Sequence, residues 1–326
     1  MGESPAKKKQ QEKVAGAEDT TVAEFAERFF KDIQSRDRKN VTMPRRYLEK
    51  DILPHIGSKP IRDITAEDVR SVIWRKKEQG FDAAAGQVRG LLKRMFDYAL
   101  TSGQIQANPV MALPMRHVYR AAARDRALTP DEIRQFLRAM QTSNIRRQFK
   151  IAFQLILMTL VRKSELMLAQ WKDVHLDEGG EWHIPVENSK TGKPHIVYLS
   201  TQAQTLFKEL KPLASSSVWV LPGRGTLAKP FASNGLNQAL KVSLQGQEIP
   251  AFTIHDLRRT ASTLLHEQGW PSDVVEKALN HTIGGVRGVY NRAEYAEQRR
   301  EMLQAWSDYI DGLAPSGNLV IGAGLA

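Results

Sequence analysis

The sequence contains no cysteine among its 326 residues. That excludes a disulfide framework, a thiolate metal site and a cysteine nucleophile, and it fits a reducing cytoplasm. No apolar run reaches the roughly 18 residues that span a bilayer, so no membrane partner is expected. The opening segment, Met1 to Gln11, is polar and Lys-rich without an apolar centre, unlike a secretory signal. Solenoid-type repeats are missing. So are paired carboxylates at the spacing of acid–base or two-metal chemistry. His266-Glu267 is not a zinc helix, because Trp270 stands where the second histidine belongs. Lys193 lacks the upstream glycine and the hydroxyl of a phosphate-binding loop, and Gly223-Arg224-Gly225 is too short to mean more than a turn. Neither a metal nor a cofactor is expected.

What the chain has is positive charge. Its formal net charge is +11, with 41% hydrophobic and 25% charged residues. This is the composition of a folded protein with a sizeable core and a polyanionic partner. The excess is uneven. Residues 1–120 carry 23 Lys and Arg against 16 Asp and Glu, whereas residues 121–326 carry 24 against 20. Lys7-Lys8-Lys9 reads as part of a solvated tail.

The periodicity predicts a mainly helical chain with a small β-sheet. Residues 1–19 form a flexible basic lead-in. Residues 20–112 form a helical domain that begins at a Thr21/Glu24 capping box. A second helix from Met43 to Ile52 ends before Pro54, a third opens at Thr65, and a fourth runs from about Ala84 to Leu100. Arg75, Lys76 and Lys77 lie near the end of the third helix. Arg89, Lys93 and Arg94 lie on the polar side of the fourth. Taken singly these are solvated charges. As a set they are read as phosphate contacts. Residues 113–127 are a linker. Thr129-Pro130-Asp131-Glu132 opens a second domain, 128–311, with a long apolar helix from about Asn144 to Val161. Two strands, Trp182 to Val186 and His195 to Leu199, flank the turn Ser189-Lys190-Thr191-Gly192-Lys193. The tail, 312–326, is rich in Gly and Ala.

The second domain carries a set of cations and a tyrosine: Arg162, Lys190, His255, Arg258, His281 and Tyr290. If Thr253 caps a helix, Asp256 completes a capping box, and His255 and Arg258 share one face. Arg259 is rotated by about 100° and points elsewhere. Alone, each residue has a plain structural reading: a salt-bridging arginine, a turn lysine, a capping histidine, a core tyrosine. Together and in this order they resemble the tyrosine recombinases, and more closely the integrases of prophages and genomic islands. Leu160-Val161-Arg162-Lys163-Ser164-Glu165-Leu166 looks like the family's first arginine motif. Lys190 matches its hairpin lysine, and His255-Asp256-Leu257-Arg258 its His-x-x-Arg box. Leu279-Asn280-His281 matches the later histidine motif. Tyr290 matches the nucleophile nine residues on. Tyr295 is the rival nucleophile. Two departures fall on backbone positions, where Val161 and Asn280 stand in place of the usual glycines.

The resemblance implies a helical core-binding domain joined to a tyrosine-recombinase catalytic domain of α+β type. It also implies strand cleavage through a 3′-phosphotyrosyl intermediate without metal or ATP. Arg162 and Arg258 would hold the non-bridging oxygens. His255 would relay the tyrosine proton, Lys190 would protonate the leaving 5′-oxygen, and His281 would hydrogen-bond the phosphate. The expected partners are double-stranded attachment sites held in a C-shaped clamp and a homo-tetramer formed on DNA from free monomers. A DNA-bending host factor and an excisionase are also expected, and the place of action is the nucleoid of a bacterial cytoplasm. Relatives often begin with a further arm-binding domain that is not visible here, so a shorter form is expected. The alternatives are a type IB topoisomerase-like enzyme and a DNA-binding regulator that does not cut.

Overall fold

The computed structural model describes residues 20–35, 41–120, 125–177, 179–281 and 293–314. The chain divides into two compact units, Met1–Arg124 and Asp125–Ala326. The basic lead-in and most of the Gly- and Ala-rich tail lie outside the described residues. Among the described residues no helix is long and apolar enough to cross a membrane.

The first unit opens with α1 (Val22–Ser35). Glu24 Oε2 accepts both the N–H and the hydroxyl of Thr21, each at 2.9 Å, which ties off the first turn. Phe25, Phe29 and Phe30 are buried on one face. Helix α2 (Thr42–Tyr47), a π-helical turn at Leu48–Ile52 and α3 (Leu53–Ile56) then follow without a break. The expected stop before Pro54 is therefore wrong. Pro54 sits in the first turn of α3, directly after the π-helical turn, and it is at this change of helix type that the run accommodates a residue with no N–H to donate.

Helix α4 (Ala66–Glu78) has the full Thr65/Asp68 capping box. Helix α5 (Asp82–Thr101) lays Val88, Leu91, Leu92, Met95 and Phe96 into the shared core. A short helix, α6 (Met115–Val118), lies inside the segment read as linker. Val118 is buried, and a Cβ at Gly86 would come within 3.1 Å of Tyr119 Cβ. Those two side chains draw residues 115–119 into the unit. Arg89 is a second correction. It is buried rather than on the polar side of its helix, and its Nε donates to Leu113 O at 2.8 Å.

In the second unit, α7 (Pro130–Thr142) starts from the Thr129/Glu132 box. Arg126 grips Glu132 through two bonds of 2.9 and 2.7 Å. The Leu128 N–H donates to Thr260 Oγ1 at 2.8 Å. Helix α8 (Arg147–Thr159) is buried at every position from Ile151 onward, which makes it the axis of this unit. The short helix α9 (Lys163–Met167) follows it. Strands β1 (Val174–His175), β2 (Glu181–Ile184) and β3 (His195–Tyr198) form an antiparallel sheet, with Trp182 opposite Val197 and Ile184 opposite His195. Helix α10 (Thr201–Leu213) packs on α8, and β4 (Pro222–Gly223) and β5 (Thr226–Pro230) make a separate hairpin. The remaining α-helices among the described residues are α11 (Ser233–Ser243), α12 (Ile254–Glu267), α13 (Ser272–Ala278) and α14 (Ala296–Gly312).

Helices α12 and α14 also pack on α8. Trp306 of α14 is fully buried, and its indole N–H donates to Leu157 O at 2.8 Å. Replacing it by Phe removes that donor and leaves a buried carbonyl short of a partner. Trp306→Phe is expected to destabilise the second unit by about 1–3 kcal/mol, read as a lower thermal midpoint. An unchanged midpoint would mean that the bond contributes nothing.

Candidate active site

Four of the six expected residues, Arg162, Lys190, His255 and Arg258, line one open cavity of about 330 Å³. Lys163, Asn237 and Thr253 also face it. Each arrives by a separate local device. Helix α8 ends in a left-handed turn at Leu160, φ 60° and ψ 15°. The left-handed residue is thus Leu160, and Val161 keeps a negative φ. A β-branched side chain is accommodated there without the glycine usual in the family. Arg162 follows at the mouth of α9. Glu165, itself buried, holds Arg162 twice: Oε2 accepts the backbone N–H at 2.8 Å and Oε1 accepts from Nη1 at 2.9 Å. The other end of the guanidinium donates to Asn280 O at 3.3 Å.

Helix α12 supplies the second arginine. Asp256 Oδ2 accepts from the N–H and the hydroxyl of Thr253 at 2.8 and 2.9 Å, which fixes the first turn. Arg258 is 3% exposed, and its guanidinium donates to Leu160 O and Leu279 O. Both carbonyls stand at helix C-terminal ends, where the negative pole of the helix dipole favours a cation. Burial first, and then the charge of Arg162, push the Arg258 pKa down to about 10, so it stays protonated at neutral pH. His255 keeps an exposed edge. Partial burial of its ring, then the charges of Arg258 and Arg259, lower its pKa and favour the proton-accepting form. Arg259 is held by Asp256 Oδ1 at 3.0 Å and does not line the cavity.

Lys190 is exposed at the tip of the β2–β3 turn. His281 is also exposed and does not line the cavity; its Nδ1 lies 2.8 Å from Glu276 Oε2. Tyr290 lies outside the described residues. The rival Tyr295 bonds to Asp273 Oδ2 at 3.4 Å, at the start of α13, and does not line the cavity either.

Residues 126–297 match the phage integrase family, and residues 22–115 match the phage integrase central domain. The chain belongs to the phage integrase family of tyrosine recombinases. Prophage integrase IntA of Escherichia coli K12 is 33% identical over 280 residues, 85% of this chain and 66% of that protein. Prophage integrase IntZ of the same organism is 33% identical over 301 residues, 92% of this chain and 70% of that protein. The chain thus spans about two thirds of the length of these relatives. Its fold is like that of lambda integrase, solved as a tetramer bound to a Holliday junction. The TM-score is 0.66 at 20% identity, covering 86% of this chain and 82% of that one. Tn1549 transposon integrase, solved with circular intermediate DNA, gives a TM-score of 0.62 at 21% identity, covering 87% of this chain and 99% of that one.

Around this integrase site lie three further basic side chains, two of them buried, that the motifs did not assign a role. Arg299 of α14 is 2% exposed and donates to Ile196 O and to Glu294 O, the latter at 3.3 Å. Its guanidinium lies over the Tyr198 ring, 4.9 Å from the centroid. His195 of β3 is buried and hydrogen-bonds the Ala278 backbone. Lys163 reaches Asn237 Oδ1 at 3.2 Å across the cavity wall, and burial lowers its pKa. Only Lys163, beside the first arginine, had a signal in the sequence.

Burial first, and then the charges of Arg299 and Arg258, push the His195 pKa from 6.5 down to about 3. The unfolded chain therefore takes up a proton before the folded one does. The stability this group contributes is present above about pH 6.5 and is lost as pH falls toward 3, at up to about 1.4 kcal/mol per pH unit. Thermal midpoints across pH 4–7 should fall less steeply for His195→Gln than for the natural protein. Parallel slopes would mean that the acid sensitivity lies elsewhere.

Proposed function

We propose that this chain is a site-specific DNA recombinase that integrates and excises a prophage or genomic island. The observation that carries this reading is the cavity itself. It gathers a half-buried and a buried guanidinium, a lysine and a histidine held toward its neutral form. A phosphodiester transition state adds negative charge on the non-bridging oxygens, and two fixed guanidinium groups match it. The Tyr290 hydroxyl attacks phosphorus while its proton passes to His255. The P–Oη bond forms, the P–O5′ bond breaks, and Lys190 protonates the departing 5′-oxygen. His281 hydrogen-bonds the phosphate. A 5′-hydroxyl from a second strand reverses these steps, so the bond energy is kept.

The partner in this reading is duplex attachment-site DNA, and the assembly that recombines two sites is a tetramer. Lambda integrase, solved as a dimer on a core site and as a tetramer on a Holliday junction, supports that reading. A DNA-bending host factor and an excisionase belong to it as accessory partners. In the first unit the exposed Arg75 is the leading phosphate contact. Lys77, over the Trp74 ring at 5.2 Å, and Arg94 join it. Lys76 and Lys93, bonded to Asp51 at 2.8 Å and to Asp97 at 2.6 Å, would exchange a carboxylate for a phosphate. Buried Arg89 takes no part. The match of the first unit to the phage integrase central domain speaks against the topoisomerase alternative.

Incubation with a nicked attachment-site duplex should trap a covalent protein–DNA adduct with the natural chain and with Tyr295→Phe, and none with Tyr290→Phe. An adduct on Tyr290→Phe would remove the nucleophile assignment. A natural chain that forms none on any mapped site would remove the enzyme reading and leave a DNA-binding regulator.

A further inference from the structure

Asn280 stands where the family usually has glycine, and its backbone shows why glycine is usual. It is left-handed, with φ 48°. The Asn280 N–H donates to Lys277 O and the His281 N–H to Glu276 O, each at 3.0 Å. These two bonds close the C-terminus of α13 in the pattern that favours glycine at this position. Asparagine is among the few other residues that tolerate it.

Its side chain does what glycine cannot. Asn280 Nδ2 donates to Ser189 Oγ at 3.1 Å, and Thr191 Oγ1 donates to Asn280 Oδ1 at 3.2 Å. Ser189 Oγ and Thr191 Oγ1 lie 3.0 Å apart. With the Ser189 hydroxyl donating to Thr191, the three groups form a closed ring in which each hydroxyl gives its one proton. Ser189 is buried and Thr191 and Asn280 are half-buried, so the ring is partly shielded from competing water. Lys190 is the residue between the two hydroxyls. The same Asn280 accepts from Arg162 through its backbone carbonyl.

We propose that Asn280 is a positioning residue for Lys190. It docks the Ser189–Thr191 turn on the end of α13 and so sets the reach of the lysine toward the leaving oxygen, in register with Arg162. This rests on the reading of Lys190 as the proton donor.

The test uses Asn280→Gly in the full chain, which keeps the left-handed turn relaxed. The probe is a nicked duplex of the attachment-site core, mapped from the direct repeats bounding the integrated element. It carries either the natural 5′-oxygen or a bridging 5′-sulfur at the scissile phosphate. Sulfur departs as a thiolate and needs no proton. Asn280→Gly should slow cleavage of the oxygen substrate by roughly tenfold, part of the 10²–10⁴ that a positioned acid supplies, and should recover on sulfur. Lys190→Ala should lose more on oxygen and recover likewise. Thr191→Val should behave as Asn280→Gly does, and the double variant should be no worse than either. Amide exchange at residues 189–192 should quicken in Asn280→Gly without DNA. If Lys190→Ala recovers on sulfur while Asn280→Gly loses equally on both substrates, or loses nothing, the proposal falls and the lysine reading stands. If Lys190→Ala itself does not recover, the lysine reading falls and the proposal falls with it.

Discussion

The Arg258 guanidinium, wedged between the carbonyls of Leu160 and Leu279, is the contact on which the site depends. A buried cation needs partners, and helix C-termini have carbonyls to spare. One side chain meets both needs. It fastens the end of α8 to the end of α13, and so brings the segments that follow them together: Arg162 from one, Asn280 and His281 from the other. Leu160 must turn left-handed to present its carbonyl, which also turns the chain into α9. The arrangement crowds two cations. Burial first, and then the charge of Arg162, push the pKa of Arg258 down to about 10, and a bound anion would relieve the second of these.

In the proposed reading, charge around the cavity is arranged for an incoming phosphate. Glu165 is spent on orienting Arg162 through its backbone and its side chain. Asp256 is spent on the first turn of α12 and on Arg259. Both carboxylates are buried beneath the cations and hold their positions. Farther out, His195 and Arg299 brace β3 against α13 and α14 and keep the sheet that bears Lys190 in register with the helices.

Much of this was legible in the sequence because it is local. Capping boxes at Thr21, Thr65, Thr129 and Thr253 marked helix starts, and period-2 runs marked β2 and β3. Two-residue strands such as β1 and β4 carry too few residues for a pattern. The helix end before Pro54 was misread because proline is equally at home in a first turn. Residues 115–119 looked like linker because only Val118 and Tyr119 anchor them. Arg89 looked solvent-facing because helical periodicity cannot tell that Leu113 O waits 24 residues on. In the site, the resemblance carried by the motifs and their order singled out the two arginines, Lys190 and His255. It could not reveal the ring that joins Asn280 to Ser189 and Thr191 across about 90 residues, and Asn280 had seemed only a backbone departure.

The central claim is that the paired guanidinium groups act on phosphate charge. The most direct measurement compares cleavage of a nicked attachment-site duplex carrying a normal scissile phosphate with one carrying a neutral methylphosphonate there. It is made with the natural chain, with Arg258→Ala and with the less buried Arg162→Ala. The expected result is a loss of about 10²-fold or more on the charged phosphate and a far smaller loss on the neutral one. Equal losses on both substrates would contradict the account.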